Sequence, residues 1–151
     1  MQIVKNQGRI GQGGFGNVDR VVADDGKEYA CKSFSQNQPL TPELLANVLK
    51  RFAKEVRIQG GISHPNIVPI VYSDLASNPP FYLMPLATSS LDKDLANDRR
   101  LNGTFMSALS DIVAGLDELH SMQIYHRDLK PHNVLRFGDG QSSIYSISDS
   151  V

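Results

Sequence analysis

A single cysteine, Cys31, among 151 residues excludes an internal disulfide framework. No apolar stretch approaches the roughly 20 residues that cross a bilayer. The start Met1-Gln2-Ile3-Val4-Lys5 also lacks the apolar core of a signal peptide, so the expected setting is a reducing cytoplasm without membrane attachment. Charge of one sign is missing too. Against 15 Lys+Arg stand 16 Asp+Glu, and the formal net charge of -1 removes the global argument for nucleic acid or an anionic membrane as partner. At 40% hydrophobic and 21% charged residues, the composition is that of one globular domain rather than a disordered tail. Several chemical signatures are absent. No G-K-[ST] closes the glycine-rich stretch, which excludes a Walker A loop, and no G-x-S-x-G elbow anchors a hydrolase. His120, His126 and His132 come with one cysteine and no H-x-x-x-H pair, so they read as structural rather than metal-binding residues, His126 as a packing residue of its loop.

What is present alternates and repeats in recognisable ways. Val18 to Ala23 and Glu28 to Phe34 are β-prone runs joined by the turn Asp24-Asp25-Gly26. Thr41 as cap, Pro42 at the first helical position and Gly60-Gly61 as stop predict a helix between them. Its apolar stripe is Leu44, Leu45, Val48, Leu49, Phe52 and Val56. Ile67 to Leu75 and Phe81 to Leu86 predict two more strands around the turn Ser77-Asn78-Pro79-Pro80. A second helix is expected over about residues 104 to 122, capped by Thr104, with Phe105, Met106, Leu109, Ile112, Val113, Leu116 and Leu119 as its buried stripe. A last hairpin follows Asn133-Val134-Leu135, turning at Gly138-Asp139-Gly140 and returning over Ser143 to Ser148.

The run Gly11-Gln12-Gly13-Gly14-Phe15-Gly16-Asn17-Val18 is a G-x-G-x-x-G-x-V pattern, whose glycines let backbone amides approach phosphate oxygens without a Cβ in the way. A dinucleotide fingerprint would open a helix after Gly16, whereas here a strand and hairpin continue; a glycine turn without ligand is the alternative. Lys32, on the second strand of the hairpin, would bring an ammonium beneath that turn, or else stand exposed on its strand. On a helical wheel of about 100° per residue from Val48, Glu55 falls near about -20°, between Leu44 at about -40° and Phe52 at about +40°. A carboxylate in an apolar stripe is costly unless paired, so Glu55, not Glu43 on the opposite face, is the expected partner of Lys32.

With Tyr125-His126-Arg127-Asp128-Leu129-Lys130-Pro131-His132-Asn133-Val134-Leu135 the chain resembles the eukaryotic-type serine/threonine protein kinases, whose glycine loop, strand lysine and H-R-D-L-x-x-x-N loop occur in this order. His64-Pro65-Asn66-Ile67-Val68 is similar to the turn these kinases place after their C-helix. The resemblance implies an α+β, protein-kinase-like fold: an antiparallel β N-lobe with one C-helix over residues 1–87, hinge included, and an incomplete, mainly α C-lobe from 88 to 151. It implies ATP and Mg2+ as cofactors, with phosphoryl transfer to protein Ser/Thr hydroxyls. Asp128 would take or orient the hydroxyl proton, Lys130 would steady the γ-phosphate, and Asn133 would hold magnesium. Lys32, paired with Glu55, would grip the α and β phosphates under a cover of Ile10, Gly11, Gly13, Gly14, Phe15 and Gly16. Val18 and Ala30 would sandwich adenine, Met84 matches the gatekeeper, and the Pro85 carbonyl and Ala87 amide would read adenine's edge. Lys130-Pro131 resembles serine/threonine rather than tyrosine kinases.

The magnesium-binding D-F-G is matched by Asp149, with Ser150 and Val151 in place of Phe and Gly. Neither activation segment nor A-P-E follows, so the expectation is a domain cut off just after this position, with the helix at 104 to 122 left partly uncovered. Three readings follow: a kinase, completed by a protein partner where necessary; a catalytically dead module that binds nucleotide or a partner; or a remnant of an interrupted reading frame.

Overall fold

The computed structural model describes residues 1–126, 129–139 and 142–148. Residues 1–62 and 69–86 form one compact unit; residues 63–68 with the described residues from 87 onward form a second. The first unit is a five-stranded antiparallel sheet in the order β1-β2-β3-β5-β4, carrying one long helix. Its elements are β1 (Ile3–Gln12), β2 (Gly16–Ala23), β3 (Glu28–Phe34), α1 (Pro42–Gly60), β4 (Tyr72–Asp74) and β5 (Phe81–Pro85). The second contains β6 (Ser89–Ser90), α2 (Leu91–Asn97), α3 (Phe105–Ser121), β7 (Val134–Phe137) and β8 (Ile144–Ile147), with the short strands forming an antiparallel sheet β6-β7-β8. The antiparallel sheet with one helix, followed by a region built on helices, is the α+β arrangement expected.

Strand alternation sorts the first unit's sheet into two faces. Val21, Ala23, Tyr29, Cys31 and Leu83 form a buried cluster on one face, with Tyr72 and Phe81 packed against it. On the other face, Phe52 of α1 meets Phe34 edge-on at 6.2 Å and Tyr82 at 5.9 Å between ring centroids. The α1 ends are as the sequence dictates. Thr41 is extended and its Oγ1 accepts from the Leu44 N–H at 3.3 Å, Pro42 follows, and Gly61 closes the helix. Leu44, placed on the apolar stripe by periodicity, is exposed, because the buried residues of α1, Phe52, Val56 and Gln59, all lie in its second half.

Three expectations are corrected. The strand foreseen over Ile67 to Leu75 is only Tyr72–Asp74, because Pro69 has no N–H to offer a ladder and Ile67 and Val68 pair with Ile147 in the second unit. Thr104 does not cap α3: its hydroxyl donates backwards to the Leu101 carbonyl at 2.6 Å. The buried side of α3 is Ala108, Gly115 and Leu119, while Phe105, Met106, Leu109 and Val113 face outward, an exposed apolar face of the kind anticipated.

Burial pushes the Cys31 thiol up to about 11, with the charge of Asp19 acting the same way. The folded chain is therefore expected to react with a disulfide reagent at pH 8 about 100-fold more slowly than an unperturbed cysteine, the difference vanishing in denaturant. Native-state labelling as fast as the unfolded chain's would contradict that burial.

Candidate functional site

The register of the sheet assembles the predicted residues. Val18 and Tyr82 lie directly across β2 and β5 from Lys32 on β3, and Met84 lies across from Ala30. Val18, Ala30, Lys32, Tyr82 and Met84 thus share one face, and all are buried. Gly11 lies opposite Val18. Lys32 is only 4% exposed, and its ammonium sits 5.9 Å from the centre of the Tyr82 ring, whose negative face attracts a cation. Over its stem lies Gly16: a Cβ there would come within 3.3 Å of Lys32 Cε. The absence of a side chain at Gly16 lets the glycine-rich turn settle onto the lysine, as a phosphate cradle with a point charge at its base requires.

The turn is itself ordered. Gly13 donates to the Gly16 carbonyl at 2.8 Å, and Ile10 at the end of β1 is exposed. Pro85 ends β5 opposite Tyr29, and Ala87 begins the described stretch of the second unit before β6. Glu55 is half-buried, one turn along α1 from Phe52, and accepts from Arg51 Nε at 3.3 Å. A cavity of about 470 Å3 lies in the same unit between α1 and the β4–β5 turn, lined by Phe34, Leu45, Leu49, Phe52 and Pro80, and includes none of the predicted nucleotide residues.

In the second unit, Lys130 is exposed and its carbonyl accepts from Asn133 across the short helical turn Pro131–Asn133. Asn133 is only 1% exposed. Its side-chain oxygen is a hard, neutral donor of the kind magnesium accepts. The Asn133 carbonyl receives both the N–H of Ser148, at 2.8 Å, and its hydroxyl, at 3.3 Å. The hairpin therefore returns the residue before Asp149 to the side of Asn133, which sequence distance alone does not reveal. His126 does more than pack, since its Nε2 lies 2.9 Å from the Ser148 carbonyl. Asp128 and Asp149 lie outside the described residues.

The strand that follows Asn133 is clamped by an ionic network. Asp94 on α2 accepts from Arg136 Nε at 2.8 Å, from the Tyr145 hydroxyl at 2.6 Å and from Ser89 Oγ at 2.8 Å. Burial alone would raise the Asp94 pKa, but these hydrogen bonds and the Arg136 charge hold it below the ordinary carboxylate value. Burial, seconded by Asp94, pushes the Tyr145 phenol up, and the Asp94 contact raises Arg136. This network and the aromatic floor of Phe52 and Tyr82 went unread in the sequence. Tyr82 was signalled only by its alternation with Phe81 and Leu83, and Asp94 by nothing local.

Family comparison decides what the arrangement belongs to: the protein kinase domain matches residues 4–149. The chain belongs to that family. The kinase domain is 34% identical over 142 residues to serine/threonine-protein kinase PknD of Chlamydia felis, covering 83% of this chain and 15% of that protein. It is 34% identical over 133 residues to an Aurora kinase of Candida glabrata, covering 84% of this chain and 35% of the relative. To the inhibitor of nuclear factor kappa-B kinase subunit alpha of Gallus gallus it is 32% identical over 152 residues, 93% of this chain and 19% of the relative. The chain thus spans 15% to 35% of these relatives' lengths. The kinase domain is of the eukaryotic serine/threonine type that its glycine turn and H-R-D-L-K-P-H-N run resemble.

Proposed function

We propose that this chain carries the nucleotide-binding face and catalytic loop of a serine/threonine protein kinase, which moves the γ-phosphate of ATP to a Ser or Thr hydroxyl. The observation that carries this reading is Lys32, a buried cation directly beneath a glycine turn whose last glycine leaves room for it. In this reading Lys32 holds the α and β phosphates and is itself held by Glu55, while Val18 and Ala30 bracket adenine beside Met84. The Pro85 carbonyl and Ala87 N–H read its edge. Lys130 meets the γ-phosphate, and Asp128 receives the proton of the attacking hydroxyl as the bond from the γ-phosphorus to the bridging oxygen breaks. Magnesium, held by Asn133 and Asp149, supplies neutralisation of the phosphate charge when bound.

The test is transfer of labelled γ-phosphate from magnesium-ATP to the chain itself and to a generic Ser/Thr substrate. Asp128→Asn is expected to abolish transfer with ATP binding kept. Lys32→Met is expected to weaken ATP binding about 10-fold to 100-fold, the worth of a charge-assisted contact. Transfer that survives Asp128→Asn would sink the assignment. A second reading, a module that binds nucleotide or a partner without transferring phosphate, is favoured by the outward face of α3, where Met106 is 71% exposed. ATP binding without any transfer would select it.

A further inference from the structure

Between β3 and α1 runs Ser35-Gln36-Asn37-Gln38, a polar segment with no role in the reading above. It is bonded to the glycine turn at successive carbonyls. Asn37 Nδ2 donates to the Gly13 carbonyl at 2.6 Å and the Asn37 backbone N–H to the Gly14 carbonyl at 3.2 Å. The Ser35 N–H donates to the Phe15 carbonyl at 2.9 Å. The Asn37 amide is oriented from both ends: Nδ2 also reaches Asn17 Oδ1 at 3.0 Å, and Oδ1 accepts from Ser35 Oγ at 3.0 Å. Gln38 closes over the turn, because a Cβ on Gly14 would lie 2.8 Å from its Nε2.

A planar trans peptide points its C=O and the following N–H in opposite directions. A strap that takes the carbonyls of Gly13 and Gly14 therefore turns the N–H groups of Gly14 and Phe15 away from itself. Successive N–H groups aimed the same way make a concave anion site. A glycine-rich turn without such a strap samples many backbone conformations, and ordering it on binding costs affinity. We infer that Asn37 is a positioning residue that presets the glycine turn, by way of its carbonyls, to receive the polyphosphate of a nucleotide. This rests on the nucleotide reading above and extends it to a residue outside the turn.

The experiment compares the chain with Asn37→Ala and with Asn37→Asp, which keeps the shape and the Oδ1 acceptor but removes the Nδ2 donor. Two measurements are made: dissociation constants for magnesium-ATP and for adenosine, and hydrogen exchange of residues 12–17 in the nucleotide-free chain. Both variants are expected to speed exchange in 12–17 and to weaken ATP about 5-fold to 10-fold while leaving adenosine within about 2-fold. Adenosine, lacking phosphates, separates this role from a merely structural one. ATP and adenosine weakened in equal proportion, or ATP unchanged, overturns the positioning role. Should the unaltered chain bind adenosine but not ATP, or neither, the nucleotide reading fails, and with it the positioning role. Exchange then decides the strap by itself, and rates in 12–17 unchanged by both variants overturn it too.

Discussion

Gly115→Ala is expected to destabilise the chain by about 1–3 kcal/mol, although alanine is the better helix former by about 1 kcal/mol in a helix interior. Gly115 sits in the middle of α3, and a Cβ there would lie 2.6 Å from the Asn66 carbonyl oxygen and 3.0 Å from Ile147 Cδ1. The oxygen cannot swing aside. It accepts from the Ile147 N–H at 2.8 Å, and Asn66 Nδ2 donates to the Tyr145 carbonyl at 3.0 Å, so the segment is tied to β8 at two points. Intrusion of one methyl must move backbone, and overpacking outweighs propensity. At about 2–4 °C per kcal/mol for a chain of this size, thermal unfolding should shift downward by roughly 2–12 °C. Gly60→Ala is the matched control, because open space surrounds its Cβ position; it should be neutral or slightly stabilising. Equal midpoints for Gly115→Ala and the unaltered chain would refute the close approach of α3 to residue 66.

The second large effect is expected at Asp94. Asp94→Ala takes from Arg136, 20% exposed at its side chain, its carboxylate partner at 2.8 Å, leaving it the Gly138 carbonyl and the exposed Asp139, and removes the acceptor of the Tyr145 and Ser89 hydroxyls together. Loss of one partner of a fully buried ion pair costs about 3–5 kcal/mol; with some solvent access here, about 2–4 kcal/mol is expected in urea unfolding at pH 7. Asp94→Asn should cost less, since it keeps the shape and one acceptor. The pH dependence carries a sign. Because the folded-state pKa of Asp94 lies below its ordinary value, the carboxylate's contribution is complete above about pH 4 and is lost as pH falls through the folded value. The stability gap between the unaltered chain and Asp94→Asn should therefore be widest near neutrality and close in acid. A gap that is constant with pH would show that the charge of Asp94 does not stabilise the fold.

Both effects arise from contacts between distant residues that local patterns do not reveal, whereas the elements with strong local chemistry were legible. The hairpin of β2 and β3 was readable from two β-prone runs and a turn at Gly26, where φ is +78° and glycine is the residue that adopts it without strain. Thr41, Pro42 and Gly61 marked α1 because caps act within a turn of the helix they close. By contrast β1 was missed. It is an edge strand, exposed along nearly its whole length and bulged at three places, so no face of it is buried and no alternation is imprinted on it. The seven-residue α2 is too short for periodicity to show. The buried stripe expected on α3 fails at Phe105, Met106, Leu109 and Val113, because the face that touches the core is set by Ala108 and Gly115, small residues that carry little hydrophobic signal.

By itself the sequence determined the chemistry on offer: a glycine turn able to approach phosphate, a lysine on the next strand, and a loop bearing Asp128, Lys130 and Asn133 in the kinase order. These are properties of residue type and short spacing, carried by the chain whatever its shape. Only the tertiary structure decided that Lys32 is buried beneath Gly16 with Tyr82 beside its ammonium, since strand register sets which residues lie across from one another. It alone brought Ser148 to Asn133, and Asp94 to Arg136 and Tyr145, through contacts between residues far apart in the chain. Such contacts reflect the geometry of packed elements, and no local pattern along the chain encodes them.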